Sequence, residues 1–238
     1  MNKLILGISL FFVLDANAQL KVGLAFDGGV SIHSAKSSFS DGSSIKYFTR
    51  PISYGLRAVA DYKIKENIHL QSGLGITVKG MGYTYMKGSD STYQELWKTM
   101  NQKMFYNNVY LRIPVVVNYY EPKLIDDLNM IPFGQFGIDT DINLSNSKPK
   151  GNAIDQSVNF KYHKMIDLNL VFGAGLQFKT PDGNQVQVSL VLHKALLNST
   201  TKSYGTAQKK IILRNNQILF SLTYIFQKIE KSTEEGIF

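Results

Sequence analysis

The mature part of this chain is written in period two. Leu20, Val22, Leu24, Phe26, Gly28, Val30 and Ile32 share one parity, and Lys21, Asp27 and Ser31 occupy the other. Strict alternation of this kind predicts a β-strand with one apolar and one polar face. The pattern returns with Tyr54, Leu56, Ala58, Ala60 and Tyr62 against Arg57 and Asp61, and with Ile68, Leu70, Leu74, Ile76 and Val78 against His69, Gln71, Thr77 and Lys79. In the stretch NVYLRIPVVVNYY, residues 108–120, Val109, Leu111, Ile113, Val115, Val117 and Tyr119 oppose Arg112 and Asn118. Four further segments follow, centred on Phe136, Phe172, Val188 and Leu222, whose polar parities carry Asp139 and Asp141, Asp167 and Asn169, Gln187 and His193, and Ser221 and Thr223.

Eight such segments, each near the roughly 9–11 residues that a tilted strand needs to cross a bilayer, have connections that alternate in length. Those near residues 34–50, 86–104, 145–162 and 199–213 are long; those at Lys65, at residues 123–129 and at residues 180–184 are short. Short turns at one end and long loops at the other are the form of an antiparallel up-and-down transmembrane barrel. The fold expected is therefore all-β: an eight-stranded antiparallel up-and-down transmembrane β-barrel. In a soluble barrel the apolar parity turns inward, whereas in a membrane barrel it turns toward lipid and the polar parity fills the lumen. Aromatics near strand ends, such as Tyr54, Tyr62, Tyr119, Phe178 and Phe226, suit interfacial girdles. On this reading Arg57, Asp61, His69, Lys79, Arg112, Asn118, Asp139, Asp141 and Asp167 form a structural polar network in the lumen, its carboxylates neutralised by Arg57, Lys79 and Arg112.

The N-terminus supplies a route to the envelope. Lys3, an apolar run over residues 4–14 and the small residues Ala16 and Ala18 read as a secretory signal peptide over residues 1–18, with cleavage before Gln19. The barrel domain is expected over residues 19–228 and a periplasmic C-terminal tail over residues 229–238, because the charges Glu230, Lys231, Glu234 and Glu235 make poor barrel wall. The chain has no cysteine, so disulfides, a thiol nucleophile and Cys-ligated metal are excluded. The formal charge is +8. Each long connection carries more Lys and Arg than Asp and Glu, which places the positive excess on the outer rim. The partners expected are outer-membrane lipid, lipopolysaccharide at the basic external loops and an envelope protein; nucleic acid is not expected, and the barrel is expected to be a monomer.

No residue pattern specifies chemistry. His69 reads as a hydrogen-bonded lumen residue, and His193 and Ser189 lie about 13 Å apart on one strand face, too far for nucleophile activation. Asp139 and Asp141 share a face and could share a cation. The glycine-rich run over residues 73–82 lacks the following helix that a phosphate loop needs. No catalytic residue, cofactor or metal is expected. Residues 94–104, with the single tryptophan Trp97, are a candidate helix over the barrel mouth.

A leader ending A-N-A-Q, G-x-x-x-x-G-G spacing at Gly23, Gly28 and Gly29, the segment YLRIPVVVNYY, the G-A-G-L-Q-F of residues 173–178 and an aromatic closing strand together resemble the PorT-like outer-membrane β-barrel family. The resemblance implies an eight-stranded barrel in the bacterial outer membrane and little about activity. It also gives Pro114 a place within its strand, where a bulge is the physical expectation. The function implied is that of a non-enzymatic integral outer-membrane protein, structural or interacting, accessory to transport or secretion. The alternatives are a membrane-embedded lipid-modifying enzyme and a soluble lipocalin-like barrel.

Overall fold

The computed structural model describes residues 20–36, 44–46, 52–86, 102–121, 130–145, 165–197 and 212–226. The expected signal peptide over residues 1–18, the expected tail over residues 229–238, most of the long connections and residues 94–101 of the candidate capping helix lie outside them. Residues 102–104 of that candidate are strand.

Nine strands follow in order: β1 (Leu20–Lys36), β2 (Ser44–Lys46), β3 (Ile52–Lys65), β4 (Ile68–Met86), β5 (Gln102–Tyr120), β6 (Met130–Asn143), β7 (Ile166–Lys179), β8 (Gln185–Ala195) and β9 (Ile212–Phe226). All pairings are antiparallel. The eight long strands each pair with their neighbours in the chain, and β9 returns to pair with β1, so the sheet closes on itself. Closure leaves no wall strand with an unpaired edge, which a bilayer demands because it supplies no water to satisfy one. The three residues of β2 pair only with Thr84–Met86 of β4, on a β4–β5 ribbon that continues beyond the end of β3. Its brevity and lack of a period-two stripe explain why the sequence does not announce it.

The short turns gather at one end. Between β7 and β8, Thr180 N–H donates to the Asn184 carbonyl at 2.9 Å, Gly183 N–H donates to the Thr180 carbonyl at 2.9 Å, and Gly183 has φ 77°. That left-handed conformation suits glycine because a Cβ would crowd the carbonyl.

Pro114 does not produce a bulge. Ser72 faces Val115 and Gly75 faces Arg112, the same register on both sides of the proline, and pairing is interrupted only between them. Proline cannot donate an N–H, and within this interruption the Ser72 hydroxyl donates to the Pro114 carbonyl at 2.9 Å. A side chain thus replaces a ladder bond without shifting the strand. Ser72→Ala is expected to cost about 1–3 kcal/mol, the penalty for a buried acceptor losing its donor, measured by urea unfolding in lipid. An unchanged midpoint would show that the proline carbonyl finds another donor.

The wall is polar inside and apolar outside. Arg112 and Asp139 are 2% and 0% exposed, whereas Ile52 and Leu190 are 70% and 62% exposed. This inversion excludes the soluble lipocalin-like alternative, whose apolar face would be buried.

Candidate functional site

The lumen is filled by side chains in three layers, which the registers stack from the long-loop end to the short-turn end. The outer layer is ionic. Arg112 on β5 lies opposite Asp141 on β6. Its Nε donates to Asp141 Oδ1 at 3.0 Å and its Nη2 to Asp141 Oδ2 at 3.3 Å, so the guanidinium fork grips the carboxylate from two points. The same Nε is 3.0 Å from Asp139 Oδ2, and Nη2 donates to Gln217 Oε1 on β9 at 2.7 Å. Asp141 also lies opposite Asp167 on β7, and two carboxylates side by side repel. Lys79 resolves this from β4: its Nζ reaches Asp141 Oδ2 at 2.6 Å and Asp167 Oδ2 at 2.8 Å, with the Tyr110 ring 4.9 Å away. Asn169 Nδ2 donates to Asp141 Oδ2 at 3.0 Å, and His193 Nδ1 lies 3.0 Å from Asp139 Oδ2. Six strands, β4 to β9, therefore meet in one cluster.

Just inside it, Arg57 Nε on β3 holds Asp27 Oδ2 on β1 at 3.1 Å, and the Ser221 hydroxyl donates to Asp27 Oδ1 at 2.6 Å. Gly75 stands between Arg57 and Arg112 in the registers of its two neighbours. A Cβ at Gly75 would come within 2.3 Å of Arg57 Cβ and 2.4 Å of the Leu56 carbonyl, so glycine there is what lets two arginines flank one strand. A cavity of about 20 Å³, lined among others by Asp27, Arg57, Arg112 and His193, has room for about one water.

The middle layer is apolar: Val116, Val171, Val191 and Leu219 meet as a buried cluster across β5, β7, β8 and β9. Below it, at the short-turn end, His69 Nδ1 lies 2.7 Å from Asp61 Oδ2, and the His69 ring lies 4.7 Å from that of Tyr120. Gln187 Nε2 donates to Tyr120 Oη at 2.8 Å and to Gln177 Oε1 at 3.1 Å, and Gln71 donates to Gln187 at 3.3 Å.

Of the nine residues singled out in the sequence, Lys79, Arg112, Asp139, Asp141 and Asp167 are brought together. Arg57 is not among them: it pairs with Asp27, so the pair Asp139 and Asp141 is held by Arg112, with Lys79 joining Asp141 to Asp167. Asp61 and His69 form a separate pair at the other end, and Asn118 lies buried there, opposite His69 and Gln135. Asp27, Asn169, His193 and Gln217 complete the ionic layers; each sits on the polar parity of its strand, and parity was the signal for all four. Among the described residues no group of three His, Cys, Asp or Glu side chains is arranged to hold a metal.

The wall's polarity, its closure and its strand count are those of an outer-membrane barrel, and a family model agrees. The model of the outer membrane protein beta-barrel domain matches residues 17–200. The chain belongs to that family. It is a protein of the bacterial outer membrane.

Among solved structures, the chain is similar to the outer membrane protein OprG from Pseudomonas aeruginosa, with 9% identity, a TM-score of 0.51 and coverage of 88% of this chain and 96% of that one. This likeness supports the fold alone. Ail, the attachment invasion locus protein of Yersinia pestis, solved with the heparin analogue sucrose octasulfate, aligns at 12% identity and a TM-score of 0.38 over 87% of this chain and 99% of that one. The outer membrane enzyme PagL aligns at 12% identity and a TM-score of 0.37 over 84% and 97% of the two chains. No curated protein sequence matches the chain.

Proposed function

We propose that this family member is a PorT-like barrel that acts as a non-enzymatic structural or interaction protein of the envelope, accessory to transport or secretion, and that it meets lipopolysaccharide and an envelope protein partner through its basic external loops. The observation that carries this reading is the filled lumen. Arg112 and Lys79 tie β4 to β9 across the interior, and Val116, Val171, Val191 and Leu219 close the layer beneath. An interior of eight strands is only wide enough for side chains. A barrel with its lumen packed this way holds a rigid frame in the membrane and leaves its rims for contact. Most of the long-loop sequence lies outside the described residues.

His69 and His193 support the non-enzymatic side of the reading, since each faces inward and hydrogen-bonds an aspartate of the lumen. Reconstituted in planar bilayers, the protein is expected to give no steady ion conductance, and incubation with outer-membrane lipids is expected to leave them chemically unchanged. A stable open channel would contradict the packed lumen, and turnover of a lipid would move the reading to the enzyme alternative. Pull-down from detergent-solubilised membranes with the external loops intact identifies the envelope partner; recovery of the barrel alone would argue against an interaction role.

A further inference from the structure

The short-turn end of the barrel carries cations at its mouth. Lys21 on β1, Lys63 on β3 and Lys179 on β7 continue the inward parity of their strands, two positions beyond Gly23, Asp61 and Gln177. Lys63 and Lys179 are exposed and Lys21 is half-buried. Lys21 lies opposite Asp61, which puts Lys63 on its diagonal, a spacing of about 7–8 Å. The charges that act on Lys21 are Asp61, Lys179 and Lys63. Asp61 is already engaged, with its Oδ2 2.7 Å from His69 Nδ1. The turn acids Glu66 and Asp182 are exposed, and among the described residues none of the three lysines forms an ion pair. Three ammonium groups around one opening repel one another, and carboxylates placed between them relieve that repulsion.

The chain delivers carboxylates to the same place. Val22 faces Phe226, the last residue of β9, so the chain leaves the wall beside Lys21. On the other flank Ile225 pairs with Gln185, which pairs in turn with Lys179. The exit point therefore lies between two of the three lysines. The sequence that follows is QKIEKSTEEGIF, in which Glu234 and Glu235 stand side by side beyond both lysines of the segment. From Phe226 to Glu234 an extended chain reaches about 26 Å, enough to cross the mouth of an eight-stranded barrel, whose interior is only wide enough for side chains. A short tether also holds these carboxylates at an effective concentration in the millimolar range, which populates a contact built from individually weak ion pairs.

We propose that the C-terminal tail folds back across the short-turn mouth of the barrel and seats the carboxylates of Glu234 and Glu235 on Lys21, Lys63 and Lys179, as a latch over that opening. The latch goes beyond the role proposed for the external loops and needs only the closed barrel.

The test is a distance measurement by double electron–electron resonance on the full chain in phosphatidylcholine nanodiscs. The chain has no cysteine, so spin labels at Glu66→Cys on the β3–β4 turn and Gly236→Cys in the tail report that pair alone. The labelled parent is expected to show a narrow short-distance population. Lys63→Gln and Lys179→Gln are each expected to lower the ratio of docked to free tail about threefold, the scale of one exposed ion pair, and Glu234→Gln with Glu235→Gln is expected to abolish docking. Exchanging the charges, with Lys63→Glu and Lys179→Glu added to Glu234→Lys and Glu235→Lys, is expected to restore it, which a merely damaged barrel would not do. Molar salt is expected to release the tail of the parent, a readout that depends on no further variant. A broad distribution in the parent overturns the proposal, as does a narrow one that salt and the lysine variants leave unchanged. A distance signal from a mixture of two singly labelled chains places the tail on a second copy and also overturns it. So does capture of added polyglutamate by a mouth whose own tail is free, because the lysines would then serve an acidic partner. Heat-modifiability on a denaturing gel separates the two failures: a heat-modifiable barrel with a free tail sinks only the latch, whereas a chain that is not heat-modifiable sinks the barrel.

Discussion

Arg112→Leu is expected to destabilise the folded barrel by about 3–5 kcal/mol, the cost of breaking a buried ion pair from one side. The guanidinium holds Asp141 through two nitrogens, touches Asp139 and donates to Gln217, and leucine replaces none of these. Lys79 still reaches Asp141 and Asp167, but Asp139 keeps only His193. Removing one charge from each side should therefore be milder than removing the cation alone. Arg112→Leu combined with Asp139→Asn is expected to recover part of the loss, since the carboxylate left without its cation is then neutral. The measurement is reversible urea unfolding in lipid, followed by tryptophan fluorescence and gel mobility. A surface arginine would be replaced at a cost within about 0.5 kcal/mol, and a change that small for Arg112→Leu would reverse the assignment of the two faces.

Val115→Arg probes the opposite side of the same strand. Val115 is 43% exposed and lies within the apolar outward run of β5 from Val109 to Tyr119, with the outward residues Ser72 and Ile138 as its neighbours on β4 and β6. In a bilayer an arginine there is expected to cost about 2–4 kcal/mol near the midplane, against about 0–1 near the interface. The checkable outcome is a lowered urea midpoint for Val115→Arg in lipid vesicles; a variant that folds as well as wild type would mean that this face meets water.

Most of the wall was legible in the chain itself. A strand presents alternate residues to opposite faces, so Val109, Leu111 and Ile113 against Arg112, or Leu168 and Leu170 against Asp167 and Asn169, declare their sides without reference to any partner. The alternation of long and short connections then fixes an up-and-down order. Parity even assigned Asp27 and His193 to the lumen, although nothing local connects Asp27 to Arg57, 30 positions away. The ends of β4 and β5 were less legible, since the ribbon beyond β3 and the added β2 depend on backbone pairing rather than on a buried face.

The sequence by itself determined which residues face lipid, which face the lumen, and that eight strands of membrane-spanning length alternate in direction, because all of these follow from a period of two and from the positions of turns. Tertiary structure alone decided the pairing of charges. Shear between tilted strands sets which inward residues share a level, so Lys79 on β4 passes β5 to reach Asp141 and Asp167, and Arg57 takes Asp27 on its own neighbour. It also decided the fate of Pro114. The missing N–H gives an interruption rather than a bulge, and what stands across the strand is Ser72, whose hydroxyl donates to the Pro114 carbonyl where the ladder is interrupted.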